Sequence, residues 1–184
     1  PIYTYMSKQK SSSNILRDIE KAVEMIQEAK RPVIYAGGGV VSSGANKELL
    51  EFAEKTNIPV TTTFMGISGF PADHPLSLGM LGMHGTAYAN FAVTNCDLLL
   101  VLGARFDDRV TGKTDQFAAK AKVIHIDIDP AEIGKNVDVD LALKGDVKYI
   151  LQKLNELTPR KENPEWQNMV KKWKKTYPMT YSHK

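Results

Sequence analysis

Four charged side chains follow the most apolar stretch of this sequence. Residues 98–102 are all leucine or valine and predict a strand covered on both faces, and Arg105, Asp107, Asp108 and Arg109 come directly after it. Open α/β sheets bind ligands just past the carboxyl ends of their strands, and guanidinium groups suit phosphate oxygens. The pattern favours a phosphate-containing ligand, and the alternative is an ordinary loop with surface ion pairs.

Two further groups of residues suit a nucleotide. Gly37, Gly38 and Gly39 follow a short apolar run, where glycines let backbone N–H groups approach a phosphate; a simple tight turn is the alternative. Asp127 and Asp129 end another apolar run, where carboxylates accept hydrogen bonds from ribose hydroxyls. Metal binding and capping of a turn are the other interpretations of these two aspartates.

The sequence predicts no catalytic residue and no metal ligand. His84 lies between glycines, where it could stack on a flat ring, and no Ser-His-Asp or Cys-His arrangement accompanies it. Cys96 is the only cysteine, which excludes an intramolecular disulfide and fits a reducing compartment. Its apolar neighbours indicate a buried structural thiol.

Strands and helices alternate along the chain, which predicts a doubly wound parallel sheet of five or six strands, a Rossmann-like α/β fold. The first helix is expected to begin at the cap residues 11–14 and to end near Lys30. The other predicted helices are 42–55, 87–94 and 147–157, and the predicted strands are 33–36, 60–63, 98–102, 122–127 and 140–144.

The segments outside this alternation are predicted to be connections. Residues 64–80 hold three glycines and two prolines, and we expect an irregular loop that forms a flap over the strand ends. Residues 1–11 are interpreted as the remnant of an interdomain linker, 12–158 as the domain itself and 159–184 as a C-terminal linker. That tail has seven basic and two acidic residues. We expect an amphipathic helix that packs on the body or on a neighbouring domain, and neither nucleic-acid nor membrane binding.

The composition is that of a globular protein: 42% of the 184 residues are hydrophobic, 24% are charged, and the net charge is +3. We find no signal peptide, transmembrane run or lipidation motif, so a cytoplasmic location is expected. The chain begins with Pro1 rather than methionine, and we expect it to be part of a longer protein.

Four longer motifs together resemble one enzyme family. GMHG at 82–85, LGARFDDRVTGK at 102–113, HIDIDPAEIGKN at 125–136 and KGDV at 144–147 are similar to the central domain of acetolactate synthase (acetohydroxyacid synthase) large subunits. The resemblance implies a thiamine-diphosphate enzyme of three domains. It condenses two pyruvates, or pyruvate and 2-oxobutyrate, with release of CO2 in branched-chain amino-acid biosynthesis. FAD would bind in this central domain and take no net redox part.

Carried over motif by motif, the resemblance places FAD contacts on Gly37, Gly38, Gly39, Thr63, Phe64, Met65, Leu81, Gly82, Met83, His84, Gly103, Ala104, Arg105, Asp107, Arg109 and Val110. At the adenine-ribose end it adds Asp127, Ile128, Asp129, Glu132, Ile133, Gly145, Asp146 and Val147. It also implies that Met83, Asp108 and Arg109 border the substrate channel.

The resemblance assigns the thiamine diphosphate and Mg²⁺ sites to N- and C-terminal domains, so this chain alone is expected to be inactive. The whole enzyme would be a homo-oligomer with a small regulatory subunit. Two alternatives remain open. One is the central domain of a related enzyme such as pyruvate oxidase, glyoxylate carboligase or oxalyl-CoA decarboxylase. The other is a free-standing nucleotide-binding module.

Overall fold

A computed structural model describes residues 2–105, 118, 120–129 and 138–178, with side chains from Asn14 onward. Its helices are α1 (Ile2–Glu28), α2 (Gly38–Ser42), α3 (Asn46–Thr56), α4 (Ala87–Asn95), α5 (Val147–Leu157) and α6 (Pro164–Thr176). Its strands are β1 (Pro32–Ala36), β2 (Val60–Thr62), β3 (Ser77–Met80), β4 (Leu98–Leu102), β5 (Lys122–Asp127) and β6 (Leu141–Lys144). Within these ranges, no helix is both long and apolar enough to cross a bilayer.

The strands form one parallel sheet in the order β3-β2-β1-β4-β5-β6. The predicted doubly wound α/β sheet is therefore confirmed. The chain builds outward from β1 in one direction and then from β4 in the other. Val40, after β1, packs on one face of the sheet and Ala104, after β4, packs on the other. Such a reversal of strand order opens a crevice between the carboxyl ends of the two strands.

Successive residues of each strand contact opposite faces of the sheet, so two cores form. In β1, Ile34 and Ala36 pack under α1, α3 and α5, whereas Val33 and Tyr35 pack under α4 and α6. All five residues of β1 are buried. Such double coverage explains why the central strands are nearly continuous apolar runs rather than alternating ones.

Three helices differ from the prediction. Helix α3 begins at Asn46 rather than at residue 42. Helix α1 begins at Ile2, so the serines at 11–13 lie inside it rather than at its start. No glycine or proline occurs between Ile2 and Glu28 to end the helix. Helix α2 was not predicted, because glycine and valine are poor helix formers. It forms where tertiary contacts bury Val40 completely.

The prediction that residues 64–80 form an irregular connection is wrong for β3. Strand β3 extends the sheet beside β2, and the Thr61 hydroxyl donates to the Gly79 carbonyl oxygen (2.8 Å). Gly79 has a φ of +70°. A glycine at this position interrupts the strand pattern in the sequence. The preceding loop is anchored by Phe70, which is 4% exposed. Phe64 and Met65 at the beginning of the segment and Met80 at its end border the crevice.

The tail helix α6 packs on the body as expected. Trp166 is 1% exposed, and its indole N–H donates to the Pro32 carbonyl oxygen (2.9 Å) at the beginning of β1. Val170 is buried beside it, and Trp173 contacts Trp166 edge to face. Met169, which shares their helical spacing, is 40% exposed instead. The predicted boundary at residue 158 stays a prediction, but α6 contributes to the core on one face of the sheet.

Two lysines hold the tail in place from either end. The Lys161 amine donates to the carbonyl oxygens of Ile26 and Ala29, at the end of α1. The Lys174 amine donates to the Ser77 carbonyl oxygen (2.8 Å) at the start of β3. Burial lowers the pKa of both amines below the ordinary lysine value. Both lysines therefore act as hydrogen-bond donors at partly desolvated positions.

Asp97 joins three segments at the amino edge of the sheet. Its carboxylate accepts the backbone N–H groups of Lys30 (2.7 Å) and Arg31 (2.8 Å), just before β1. Its own N–H donates to the Arg31 carbonyl, and its carbonyl accepts the N–H of Lys122 at the start of β5. One residue thus aligns the starts of β1, β4 and β5.

We expect Asp97→Ala to lower the free energy of unfolding by about 1 kcal/mol or more, because two backbone N–H groups lose their acceptor. Asp97→Asn keeps one acceptor oxygen and should lose less. Urea denaturation followed by circular dichroism measures both, with Asp73→Ala as a control at an exposed aspartate. Identical midpoints for all three variants and the original chain would contradict this role.

Candidate functional site

A cleft of about 920 Å³ lies at the carboxyl ends of the central strands. Its volume is within the range of small-molecule and cofactor sites, about 300–1,000 Å³. It lies where the chain reverses its direction across the sheet, the usual ligand position in such folds. The cleft is lined by Gly38, Gly39, Thr63, Phe64, Met65, Met80, Leu81, Gly82, Met83, His84, Gly103, Ala104 and Arg105.

The floor of the cleft is a close crossing of two backbones. A Cβ atom added to Gly39 would lie 2.7 Å from the Gly103 Cα, and one added to Gly37 would lie 2.4 Å from the Gly103 carbonyl oxygen. Gly103 also has a φ of +54°, which favours glycine. The glycines are therefore required for packing, whatever binds above them.

The predicted phosphate cradle at Gly37–Gly39 is only partly available. The Gly37 N–H donates to the Leu102 carbonyl oxygen and the Gly39 N–H to the Gly103 carbonyl oxygen, both at 2.9 Å. These two donors are used within the fold. Gly38 and Gly39 line the cleft and belong to α2, a helix of only five residues.

One wall follows β2 and carries exposed apolar side chains. The Gly66 N–H donates to the Thr63 hydroxyl (3.0 Å), which closes a turn after the strand. Within that turn Phe64 is 75% and Met65 is 72% exposed. Large apolar side chains in a cleft offer a surface for a flat aromatic ligand.

A second wall is the loop after β3, and Asn90 of α4 holds it in place. The Asn90 side chain accepts the Gly82 N–H (3.3 Å) and donates to the Gly82 carbonyl oxygen (2.9 Å). The Thr86 hydroxyl caps α4 by accepting the Ala89 N–H (3.0 Å). The loop is therefore rigidly placed while Met83 remains 86% exposed over the cleft.

The predicted ribose end lies at the carboxyl ends of β5 and β6. Asp127 is 8% exposed, and its carboxylate accepts the Asp129 N–H (2.9 Å). Asp146 is exposed, but its carboxylate caps α5 by accepting the Tyr149 N–H (3.0 Å). Val147 is 3% exposed, so its side chain belongs to the core.

The structure thus brings the predicted residues to one edge of the sheet in two groups. Twelve of them line the cleft, with Gly37 directly beneath it; Asp127, Ile128, Asp129, Gly145, Asp146 and Val147 follow β5 and β6. From β2 to β6 is four strand spacings, about 19 Å, which suits an elongated dinucleotide. Outside the described residues are Asp107, Asp108, Arg109, Val110, Glu132 and Ile133.

Two residues that support the site were missed. Asn90 holds Gly82, and His125 lies with its Nε2 3.1 Å from the Ala104 carbonyl oxygen. Neither was predicted, because Asn90 lies on an apolar helix and His125 inside a strand. Their partners are backbone atoms of distant loops, for which the sequence holds no local signal.

Cys96 is buried and does not line the cleft. Burial raises the pKa of the Cys96 thiol to about 12, as expected for a structural cysteine, and its S–H donates to the Val93 carbonyl. Among the described residues, no group of three or more His, Cys, Asp or Glu side chains is placed to hold a metal ion. A guanidinium, apolar walls and carboxylates after β5 suit a ligand that carries phosphate, ring and hydroxyl groups.

Comparison with known proteins finds one matching family model and several similar proteins. Residues 19–154 match the family model described as thiamine pyrophosphate enzyme, central domain. The chain is 54% identical over 177 residues to the acetolactate synthase large subunit of Cyanidium caldarium, covering 91% of this chain and 30% of that protein. It is 51% identical over 169 residues to acetolactate synthase 1, chloroplastic, of Zea mays, covering 89% and 26%.

An archaeal relative is more similar over a shorter region. The probable acetolactate synthase large subunit of Methanocaldococcus jannaschii is 61% identical over 136 residues, covering 74% of this chain and 23% of that protein. The chain therefore spans less than a third of the length of these relatives, which contain further sequence beyond the part matched.

Gly103→Ala should lower the free energy of unfolding more than Gly44→Ala, although both glycines have positive φ, +54° and +68°. A methyl group at Gly103 would lie 2.5 Å from the Gly39 Cα, whereas nothing lies within 4 Å of one at Gly44. We expect about 1–3 kcal/mol of additional loss from overpacking. Chemical denaturation of the two variants measures the difference, and equal losses would contradict the required backbone crossing.

Proposed function

We propose, from the premise that this chain belongs to the family of thiamine pyrophosphate enzyme central domains, that it is the central domain of an acetolactate synthase large subunit and that its cleft binds FAD. The predicted family and α/β fold are confirmed by the family match and the six-stranded parallel sheet. The proposed activity is supported by the names of the relatives.

The observation that carries the FAD proposal is the cleft of about 920 Å³ at the switch between β1 and β4. Its exposed apolar side chains, Phe64, Met65 and Met83, would contact the flat ring system. Arg105 would contact the diphosphate, since a guanidinium holds phosphate oxygens in two hydrogen bonds. The carboxylates of Asp127 and Asp129 would accept hydrogen bonds from the adenosine ribose.

The remaining predicted FAD contacts stay part of this proposal. They include His84, exposed at the mouth of the cleft. They also include residues outside the described ranges, namely Asp107, Arg109, Val110, Glu132 and Ile133. We likewise propose that Met83, Asp108 and Arg109 border the substrate channel of the whole enzyme.

The whole enzyme would condense two pyruvates, or pyruvate and 2-oxobutyrate, with release of CO2. Thiamine diphosphate and Mg²⁺ would bind to domains that precede and follow this one, since each relative is more than three times as long as the matched region. A homo-oligomer with a small regulatory subunit remains a prediction. The cytoplasmic location also remains a prediction. The Zea mays relative is named chloroplastic.

The comparisons favour acetolactate synthase over the two alternatives. The three relatives described above carry that name, and none is named pyruvate oxidase, glyoxylate carboligase or oxalyl-CoA decarboxylase. A free-standing nucleotide-binding module is disfavoured because these relatives extend well beyond the matched region.

FAD should stabilise this chain against thermal unfolding if the cleft is its site. At a free concentration of 100 times the dissociation constant, the expected stabilisation is about 2.7 kcal/mol. Differential scanning fluorimetry with and without FAD, and an absorbance scan of the purified protein at flavin wavelengths, provide the measurement. A melting temperature unaffected by excess FAD would refute binding by this chain.

A matched pair of variants localises the binding. Arg105→Gln and Arg160→Gln each remove one positive charge, but Arg160 lies outside the cleft, next to Lys47 and Glu51. Loss of a charge-assisted hydrogen bond at Arg105 should weaken FAD binding about tenfold or more. The Arg160 variant should bind FAD like the original chain, and equal weakening in both would place FAD elsewhere.

This chain alone should form no acetolactate from pyruvate, even with thiamine diphosphate, Mg²⁺ and FAD. The proposal places the thiamine diphosphate site in other domains, so the carbon–carbon bond-forming centre would be absent. A colorimetric acetolactate assay with long incubation tests this expectation. A relative's full-length enzyme under the same conditions is the positive control, and turnover by this chain would contradict the assignment.

A further inference from the structure

A fully buried histidine lies beneath the cleft. His125 is 0% exposed and occupies β5 between Ile124 and Ile126. Its Nε2 lies 3.1 Å from the Ala104 carbonyl oxygen and 3.8 Å from the Asp127 carboxylate. Burying an imidazole in an apolar core is unfavourable unless its polar atoms are hydrogen-bonded. The contact with Ala104 therefore offsets a substantial desolvation penalty.

The carbonyl that His125 holds belongs to the loop on which the cleft is built. Ala104 is 1% exposed and lies between Gly103 and Arg105. The Gly103 carbonyl accepts the Gly39 N–H (2.9 Å), and the Gly103 N–H donates to the Ile126 carbonyl (2.8 Å). A shift of Ala104 would therefore move the glycine crossing and Arg105 together.

We propose that His125 is a positioning residue for the cleft. A carbonyl oxygen only accepts hydrogen bonds, so the imidazole must carry its proton on Nε2 to hold Ala104. The side chain lies between Ala104, which lines the cleft, and Asp127, at the proposed ribose end. It thereby fixes the two groups of site residues relative to one another. The part of this inference that concerns FAD binding rests on the proposed function.

Two variants of similar size separate the hydrogen bond from packing. His125→Met fills the space but has no donor, whereas His125→Gln retains an N–H that can reach the Ala104 carbonyl. Trp166→Phe is the stability control, because it removes a buried hydrogen bond to Pro32 at the opposite edge of the sheet. A role in folding alone would make His125→Met resemble this control.

Amide hydrogen exchange tests the positioning role without any ligand. In His125→Met the amides of Gly39 and Gly103 should exchange about tenfold faster or more, relative to the amides inside β1 and β4, because a supporting hydrogen bond is lost. His125→Gln should restore protection, and Trp166→Phe should leave the ratio unchanged. An unchanged ratio in His125→Met would overturn the proposal, whether or not FAD binds.

FAD titration followed by flavin fluorescence tests the consequence for the site. His125→Met should weaken binding about tenfold, while His125→Gln and Trp166→Phe should stay close to the original chain. Equal affinity in His125→Met and His125→Gln would overturn the role of the hydrogen bond in binding. If the original chain binds no FAD, the proposed function fails, and the exchange experiment decides the role of His125 separately.

The tautomer provides an independent check. Long-range ¹H–¹⁵N spectra of the original chain should show His125 protonated at Nε2, with or without FAD. A His125 ring protonated only at Nδ1 could not donate to the Ala104 carbonyl and would overturn the proposal.

Discussion

The close crossing of the Gly39 and Gly103 backbones is the constraint on which the rest of the site depends. The two segments follow adjacent parallel strands, β1 and β4. Val40 after β1 and Ala104 after β4 pack on opposite faces of the sheet. Their hydrogen bond of 2.9 Å leaves no room for a side chain on either residue. Both glycines line the cleft of about 920 Å³, so this crossing forms part of its surface.

Two loops of this cleft, those after β3 and β4, are held by side chains that do not line it. Asn90 holds Gly82 from α4, and His125 holds Ala104 from β5. Met83, which is exposed at the mouth, is thus carried by a loop that Asn90 holds in place. Such support keeps a binding surface in place before the ligand arrives, which reduces the entropy lost on binding.

The tail shows how a segment can look like a linker in sequence and belong to the fold in structure. Helix α6 is rich in lysine, yet Trp166 is buried and bonded to Pro32 at the first residue of β1. Lys174 reaches the start of β3 on the same side. The aliphatic part of a lysine side chain can cover apolar surface while its amine donates hydrogen bonds to backbone carbonyl oxygens. A basic composition therefore said little about where this helix lies.

The sequence by itself determined the α/β class, the positions of most strands and the edge of the sheet that carries the site. These follow from local patterns: apolar runs, helical periodicity and the residues after each strand. Only the tertiary structure decided that Ser77–Met80 is a strand. It also decided that the N–H groups of Gly37 and Gly39 donate to carbonyl oxygens of β4 and the loop after it. The contact between His125 and Ala104 was likewise decided by the tertiary structure. Each of these depends on a partner far away in the chain, and no local pattern encodes which backbone atom a distant loop will present.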